Sequence, residues 1–207
     1  MDEYLLLLVT QYLSTDDALA LSNTGMIGLF DMFDWMCGKT LTVLLNRAAQ
    51  GGHVTIVNHL ILSGASIDQL YNWAFHIAVK LGHEKVVEVF LNEGVYISRF
   101  SDALRMAVKY GHGSITKMLL ERGVVYDNRL LQLAVRNNHV QIVYDLCQFH
   151  ADKNDALCIA ASCGYDDMVI MLLELGANPH HNEDYPIWIA DESGHFSTSE
   201  CIRRWTH

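Results

Sequence analysis

Residues 107–124 read AVKYGHGSITKMLLERGV, and this stretch decides the fold because its pattern recurs along the chain. Its first part has two small apolar residues, two variable residues and then Gly-His. Six copies of this block are present, and they end at His53, His83, His112, His139, Tyr165 and His195. Successive copies are 30, 29, 27, 26 and 30 residues apart. A near-constant period of this length is the signature of stacked structural repeats.

A second block follows the first five copies and places apolar residues at positions i, i+1, i+4 and i+5. Ile115-Thr116-x-x-Leu119-Leu120 is one example. This spacing puts the apolar residues on one broad helix face. A glycine suited to a left-handed helix end closes four of these blocks, at Gly64, Gly94, Gly123 and Gly176. Each unit is therefore predicted to be two short antiparallel helices that must stack on neighbouring units to bury their apolar faces.

This pattern resembles the ankyrin repeat, whose family consensus is Leu-His-x-Ala-Ala-x-x-Gly-His-x-x-Ile-Val-x-x-Leu-Leu-x-x-Gly-Ala. The resemblance covers about residues 41–207. It implies an all-α ankyrin-repeat solenoid of about five to six helix-turn-helix units with an N-terminal helical cap. The units are predicted near residues 41–68, 69–98, 99–126, 127–152 and 153–180, with a capping repeat at 181–207.

The chain also departs from the family pattern. The Thr-Pro pair that precedes the first helix is missing in most copies, and Asp102 and Asp155 are expected to cap those helices instead. Pro186 restores the proline in the last copy, where the second block is polar and serine-rich. That last copy is interpreted as a C-terminal cap. The short repeats are similar to those of ankyrin proteins from large DNA viruses and phages, which implies a viral protein acting in the host cytoplasm.

Residues 1–40 lack the repeat and allow two interpretations. The first is a helical cap that covers the apolar flank of the first repeat. The second is an F-box-like segment, because the run from Leu8 to Leu21 resembles the F-box although the early Leu-Pro of that family is absent. An F-box-like segment implies docking on a ubiquitin-ligase adaptor.

Composition excludes several classes of function. Half of the residues are apolar and 18% are charged, which is typical of a globular domain rather than a disordered chain. Apolar runs are too short for a membrane span. A net charge of −10 argues against binding nucleic acid. The charge is uneven, since residues 41–150 carry ten bases and eight acids whereas both ends are acidic. Five scattered cysteines indicate a reducing compartment and neither a disulfide framework nor a structural metal site.

No pattern of catalytic chemistry stands out. The repeated histidines lie at one position in successive units, whereas metal ligands must converge on one point. Each imidazole is expected to form a hydrogen bond with nearby backbone and so to fix the turn. Phosphate-binding loops, nucleophile elbows and zinc-protease motifs are missing. The sequence therefore predicts no enzyme, no cofactor and no metal.

The predicted contact surface follows from the ankyrin resemblance, which implies binding on the concave side formed by the first helices. Lys80, Lys109 and Arg136 occupy one repeat position and would form a row of bases with a spacing of about 10 Å. The row is either a site for an acidic patch on a protein or an ordinary solvated face balanced by nearby acids. The predicted partner-binding residues are Trp73, Lys80, Leu81, Arg105, Lys109, Tyr110, Arg129, Arg136 and Asn137.

Taken together, these features predict non-enzymatic protein–protein recognition. One form of this function is a virus- or phage-encoded inhibitor that binds and occludes a host protein. The alternative is an F-box-type substrate adaptor that recruits a target to a ubiquitin ligase through residues 1–40.

Overall fold

A computed structural model of the chain describes residues 41–62, 64–65, 67, 73–94, 100–148 and 152–205. Both interpretations of residues 1–40 therefore lie outside the described residues. All regular structure within the described ranges is helical, which confirms the all-α prediction. In the same part of the chain, no helix is both long enough and apolar enough to cross a bilayer.

The chain divides into two compact units, and the N-terminal unit comprises residues 1–97. Its helices are α1 over residues 41–50, α2 Val54–Leu62, α3 Trp73–Leu81 and α4 Glu84–Asn92. Helix α4 packs against α2 and α3. Phe75 and Phe90 are buried and meet edge to face with ring centroids 6.1 Å apart, so two aromatic rings join the two helices of one repeat.

The C-terminal unit comprises residues 98–207 and holds four helix pairs in two layers. The first-helix layer runs α5, α7, α9, α11, and the second-helix layer runs α6, α8, α10, α12, with each helix packed on the next in its layer. Their bounds are α5 Phe100–Tyr110, α6 Gly113–Glu121, α7 Asn128–Arg136, α8 Val140–Gln148, α9 Lys153–Cys163, α10 Asp166–Glu174, α11 His181–Glu192 and α12 Phe196–Arg203.

The apolar positions of the repeat pattern form the core. Ile115, Leu119, Val143 and Leu172 have no exposed surface. Each large side chain removed from water in this way stabilises the fold by roughly 1.5–3 kcal/mol, before the loss of side-chain freedom is counted. One core position of the second block, the residue after Ile115, holds Thr116. Thr116 is buried, and its hydroxyl donates to the His112 carbonyl at 3.0 Å. A hydroxyl at a core position is tolerated here because it has a partner.

A left-handed residue ends each first helix. Glycine holds this position in five described turns, including Gly111 with φ 79° and Gly164 with φ 69°. The exception is Asn138, which has φ 56°. Asparagine is among the few non-glycine residues that adopt this conformation readily. The residue after the left-handed one donates its backbone N–H to a carbonyl of the first helix. His139 N, for example, donates to the Ala134 carbonyl at 3.1 Å.

Two of the turn histidines, His83 and His139, bond to the backbone of the preceding repeat. His83 Nε2 lies 2.9 Å from the Gln50 carbonyl oxygen, and His139 Nε2 lies 3.5 Å from that of Lys109. Each carbonyl belongs to the residue three places before the turn histidine of the previous repeat. The prediction that the ring bonds to backbone is confirmed for these two histidines, and the backbone belongs to the preceding repeat. The rings therefore join successive repeats.

The predicted helix caps need correction. Helix α9 is capped by Asp152, whose carboxylate accepts from Asn154 N at 2.9 Å, while Asp155 lies inside the first turn. Asp102 likewise lies in the first turn of α5, which begins at Phe100. Both acids still favour their helices, because negative charge near a helix N-terminus stabilises it.

The last repeat keeps a second helix despite its polar sequence. Thr198 and Ser199 on α12 are buried at positions that are apolar in most other repeats. The Thr198 hydroxyl donates to Asp166 Oδ1 at 2.5 Å, and the Ser199 hydroxyl oxygen accepts from Arg203 Nη1 at 3.2 Å. Arg203 pairs with Asp191 on α11 at 2.5 Å. Polar contacts thus replace apolar packing at the end of this unit.

Candidate functional site

A groove in the C-terminal unit lies between the first helices α5 and α7 and is closed at one end by the loop that precedes α7. Its volume is about 620 Å³. Both helices and the loop contribute side chains that point into it. These are Ser101, Asp102 and Arg105 from α5, Val125, Tyr126 and Asp127 from the loop, and Arg129, Leu130, Gln132, Leu133 and Arg136 from α7.

Three of the predicted partner-binding residues meet in this groove. Arg105 comes from α5, and Arg129 and Arg136 come from α7. Positive charge exceeds negative charge at the groove, because only Asp102 and Asp127 oppose three guanidinium groups.

The ion pairs of the groove leave most of this positive charge available. Arg129 Nε lies 4.0 Å from Asp127 Oδ2, and their side chains are 90% and 69% exposed. A pair so exposed contributes little to stability. Within the described ranges, neither Arg105 nor Arg136 forms an ion pair. Two guanidinium groups can therefore bind an added carboxylate without first breaking an ion pair to a described residue.

The loop side of the groove is partly apolar and fixed in place. The Tyr126 hydroxyl donates to the Leu146 carbonyl at the end of α8, at 3.0 Å. A tyrosine phenol is neutral at pH 7, and burial raises the pKa of Tyr126 above its ordinary value of 10.0, so the phenol keeps its donor proton in mildly alkaline solution as well. Val125 beside it is 85% exposed, whereas Leu130 forms the buried floor. The groove thus combines guanidinium groups with an anchored apolar wall.

Three other predicted residues of this unit are exposed but do not line the groove. Lys109 Nζ lies 5.6 Å from the centroid of the Tyr110 ring, which stacks on His112 at 6.4 Å. The Asn137 side chain donates to the Leu133 carbonyl at 2.8 Å and so closes the end of α7. Lys109 and Tyr110 remain candidates for contacts at the rim, while Asn137 has a structural role.

The remaining predicted residues, Trp73, Lys80 and Leu81, lie on α3 of the N-terminal unit. All three are exposed, and Trp73 is exposed by 61%. Lys109 and Arg136 lie on the packed helices α5 and α7, as the predicted row requires. The extension of that row to Lys80 stays a prediction.

Sequence reasoning missed the loop and floor residues of the groove. Val125 and Tyr126 precede Arg129 by only a few residues, but they fall in a connection that the repeat pattern does not cover. Gln132 and Leu133 lie on α7 between the two predicted arginines. Their positions at i+3 and i+4 from Arg129 place them on the same helix face, so helical spacing was a usable signal.

The cysteines and other potential ligands show no reactive centre in the described residues. Burial raises the pKa of Cys147 and of Cys158 to about 11, so both are thiols near neutral pH. No group of three or more His, Cys, Asp and Glu side chains in this part of the chain could hold a metal ion.

Comparison with known proteins decides the family. Residues 45–129 and 104–183 match the family model "Ankyrin repeats (3 copies)", and together they cover more than half of the chain. The chain belongs to the ankyrin-repeat family. A solved structure, the human ASB11 ankyrin repeat domain, superposes with a TM-score of 0.65 at 21% identity, over 77% of this chain and 81% of that one. No curated protein matches.

Family membership and the structural match confirm the predicted ankyrin-repeat fold. Ankyrin repeats are scaffolds for protein–protein interaction, and the family is generally non-enzymatic. The ankyrin-repeat domain therefore has a protein as its expected class of ligand. At 21% identity, the human domain informs the fold and not the partner.

Proposed function

We propose that this ankyrin-repeat protein binds, without turnover, a protein that presents an acidic patch, and that the groove between α5 and α7 is the contact site. The observation that carries this proposal is the presence of Arg105, Arg129 and Arg136 around one groove in a chain with a net charge of −10. Guanidinium groups bind carboxylates through paired hydrogen bonds, so they favour a partner with Asp or Glu side chains.

The apolar wall supports a protein partner over a small anion. Val125 and Tyr126 offer surface that an acidic side chain alone would leave exposed to water. Interfaces between proteins combine apolar contacts with arginine and tyrosine more than other surfaces do. A partner that covers this wall would also exclude water from the arginines, which strengthens their attraction for carboxylates.

The proposed mode of action is occlusion. When a partner binds to the first-helix layer, the surface of the partner that forms the contact is covered. An inhibitor of a host protein in the cytoplasm acts in this way, because the covered surface can no longer bind other molecules. The viral or phage origin of such an inhibitor rests on the short repeats of 26–30 residues. The alternative function, an F-box-type substrate adaptor, rests on residues 1–40 and on none of the described residues.

The test compares capture of host proteins by the full chain and two charge-reversal variants. R105E/R136E changes the groove, and K85E/K117E makes the same change in net charge at exposed positions of second helices. Loss of charge contacts at an interface costs about 2–5 kcal/mol of binding free energy. The affinity of the groove variant R105E/R136E for the partner should therefore fall by at least about 30-fold.

The control variant should retain the partner, and both variants should melt within a few degrees of the wild type. Equal capture by the wild type and R105E/R136E would contradict the proposal. Recovery of ubiquitin-ligase adaptor subunits by all three proteins would instead support the F-box alternative.

A further inference from the structure

A pair of exposed aromatic rings lies on the first helix of the last repeat. Tyr185 and Trp188 on α11 stack with ring centroids 5.6 Å apart and an interplanar angle of 27°. Tyr185 is 41% exposed and Trp188 is 54% exposed. The two stacked rings therefore present one aromatic surface to solvent. We call these two residues the aromatic pair.

The repeat pattern places the aromatic pair on the same side as the groove. Trp188 stands seven residues before the turn residue His195, and Arg105 stands seven residues before His112. Tyr185 and Arg129 each stand ten residues before their turn histidines. Helices α5, α7, α9 and α11 pack in sequence within the C-terminal unit, so equal repeat positions share one face. The groove and the aromatic pair therefore belong to one continuous surface.

The charge around the aromatic pair is opposite to that of the groove. Asp155 on α9 has the same repeat position as Tyr185, and Glu183 and Asp184 immediately precede the pair. All three are exposed. Asp184 bonds to His180 Nδ1 at 2.5 Å. The lysine of this region, Lys153, donates its ammonium group to the Leu175 carbonyl at 2.9 Å and is half-buried. The local field thus favours a cation beside the rings.

From this arrangement we propose that the aromatic pair is a second contact point, which receives a lysine or arginine side chain of the protein partner. The face of a tryptophan or tyrosine ring attracts a cation, and nearby carboxylates add to this attraction. An acidic side chain is disfavoured at this end, because it would approach Asp155 and Glu183. The occupant is therefore cationic, in contrast to the acidic one proposed for the groove.

The two sites together define the spacing of charges in the partner, a statement that rests on the proposed function of the groove. Helix α11 is two helix positions beyond α7 in the first-helix layer, which corresponds to about 20 Å at the usual distance between packed helices. An extended chain covers this distance in about six residues. We therefore expect a partner segment with acidic residues at one end and a basic residue about six positions away.

The experiment selects random 12-residue peptides, displayed on phage or as nucleic-acid fusions, for binding to the full chain. Selected peptides are then measured against W188L, which keeps apolar contact area but removes the π face, and against F196A, which removes an aromatic ring that is 68% exposed on α12. We expect selected peptides to carry separated acidic and basic residues. Their affinity should fall about five- to tenfold in W188L and stay unchanged in F196A.

Two outcomes would overturn this inference. In the first, selected peptides show no enrichment of Lys or Arg. In the second, peptides with basic residues bind W188L and wild type equally, which would indicate a purely apolar contact. The R105E/R136E variant separates the two proposals. If peptides that bind W188L and wild type equally bind R105E/R136E more weakly, the groove proposal is supported and the second contact is contradicted. If R105E/R136E binds them unchanged, the groove proposal fails as well.

Discussion

Single residues in the turns set how the repeat units are joined. The left-handed position at the end of each first helix is glycine in most described turns but asparagine at position 138. A left-handed conformation costs a residue with a Cβ atom about 1–2 kcal/mol, and asparagine reduces this cost by local hydrogen bonding. Asn138 therefore allows a test in which only the backbone preference of one residue changes.

We expect Asn138→Ala to lower the free energy of unfolding by about 1 kcal/mol, because alanine meets the full cost of the left-handed conformation. Asn138→Gly should leave stability unchanged or raise it by a few tenths of a kcal/mol. Urea unfolding followed by circular dichroism measures both changes. Lys117→Ala on the exposed side of α6 is the control and should have almost no effect. A neutral Asn138→Ala would show that this turn relaxes to another conformation.

At this scale, sequence reasoning identified the groove arginines but not the side chains beside them. Arg105 and Arg129 were predicted from their positions on first helices, and both line the groove. Tyr126 was missed because it is placed by a hydrogen bond to Leu146, twenty residues away, and no local pattern encodes that contact. Trp188 was missed although its repeat position matches that of Arg105, because the last repeat was interpreted only as a cap.

Between elements, the close contact of a turn with the next repeat limits which residues the turn allows at Gly52, Gly111 and Gly164. A Cβ atom added at Gly164 would lie 2.4 Å from Nδ1 of His195, and one at Gly111 would lie 2.7 Å from Cε1 of His139. By contrast, a Cβ atom added at Gly176, which has φ 88° and ends α10, would have nothing within 4 Å. The two classes of glycine share a backbone conformation and differ in contact with a neighbouring repeat.

We expect Gly164→Ala to destabilise the protein more than Gly176→Ala, because only the first forces a histidine ring away from the turn. Gly176→Ala should cost about 1 kcal/mol from backbone strain alone. The additional destabilisation by Gly164→Ala, relative to Gly176→Ala, should become smaller when His195 is also replaced by alanine. A double-mutant cycle measured by urea unfolding gives the coupling energy between Gly164 and His195. Equal costs for the two glycine variants would show that the ring shifts freely and contributes no constraint.

The contacts between α11 and α12 predict a specific dependence on pH. The Ser199 hydroxyl and the Arg203 guanidinium hold the pKa of Asp191 below its ordinary value of 3.8. A carboxyl with a lowered pKa stabilises the fold above its unfolded pKa, and this contribution is lost as the pH falls through the folded value. We therefore expect Asp191→Asn to lower Tm at pH 7, with a difference from the wild type that shrinks below about pH 3.8.

The control for this measurement is Glu88→Gln in the middle of α4, which removes one exposed carboxylate that forms no ion pair among the described residues. A Tm difference for Asp191→Asn that stays constant from pH 7 to pH 3 would contradict the role assigned to its charge.

Helices were predictable from the sequence because the apolar positions recur with helical spacing in every repeat, as at Ile115 and Leu119. Their starting points were less predictable. Asp155 was expected to cap α9 from its place in the family consensus, but the connection before this helix is shortened and the helix begins earlier, at Lys153. The α12 helix was interpreted as polar, and only the structure pairs Thr198 with Asp166 on the neighbouring helix.

For the whole molecule, the cysteines of the C-terminal unit report on how that unit unfolds. Cys147 lies on α8 and Cys158 on α9, and burial raises the pKa of each thiol to about 11. Alkylating reagents attack the thiolate, so the folded state should protect both positions. We expect both to react with iodoacetamide at pH 8 at least tenfold more slowly in the native chain than in urea, as measured by mass spectrometry.

Both cysteines should become reactive over the same range of urea concentration if the repeats of the C-terminal unit open together. Cys201 on α12, which is half-exposed, serves as the internal comparison near the chain end. Rapid native labelling of Cys147 would contradict its burial. Loss of protection at Cys158 well before Cys147 would show that the stack frays from its C-terminal side.

The bond from a turn ring to a carbonyl of the preceding repeat, seen at His83, His139 and Tyr165, has an evolutionary consequence. The acceptor is a main-chain oxygen, so a repeat can follow any neighbour whatever that neighbour's side chains are. Tyr165 illustrates this freedom, since its hydroxyl donates to the Arg136 carbonyl at 3.5 Å where other repeats use histidine. Gene duplication or recombination can therefore add, remove or exchange whole units without redesigning the junctions, while the surface residues diverge towards new targets.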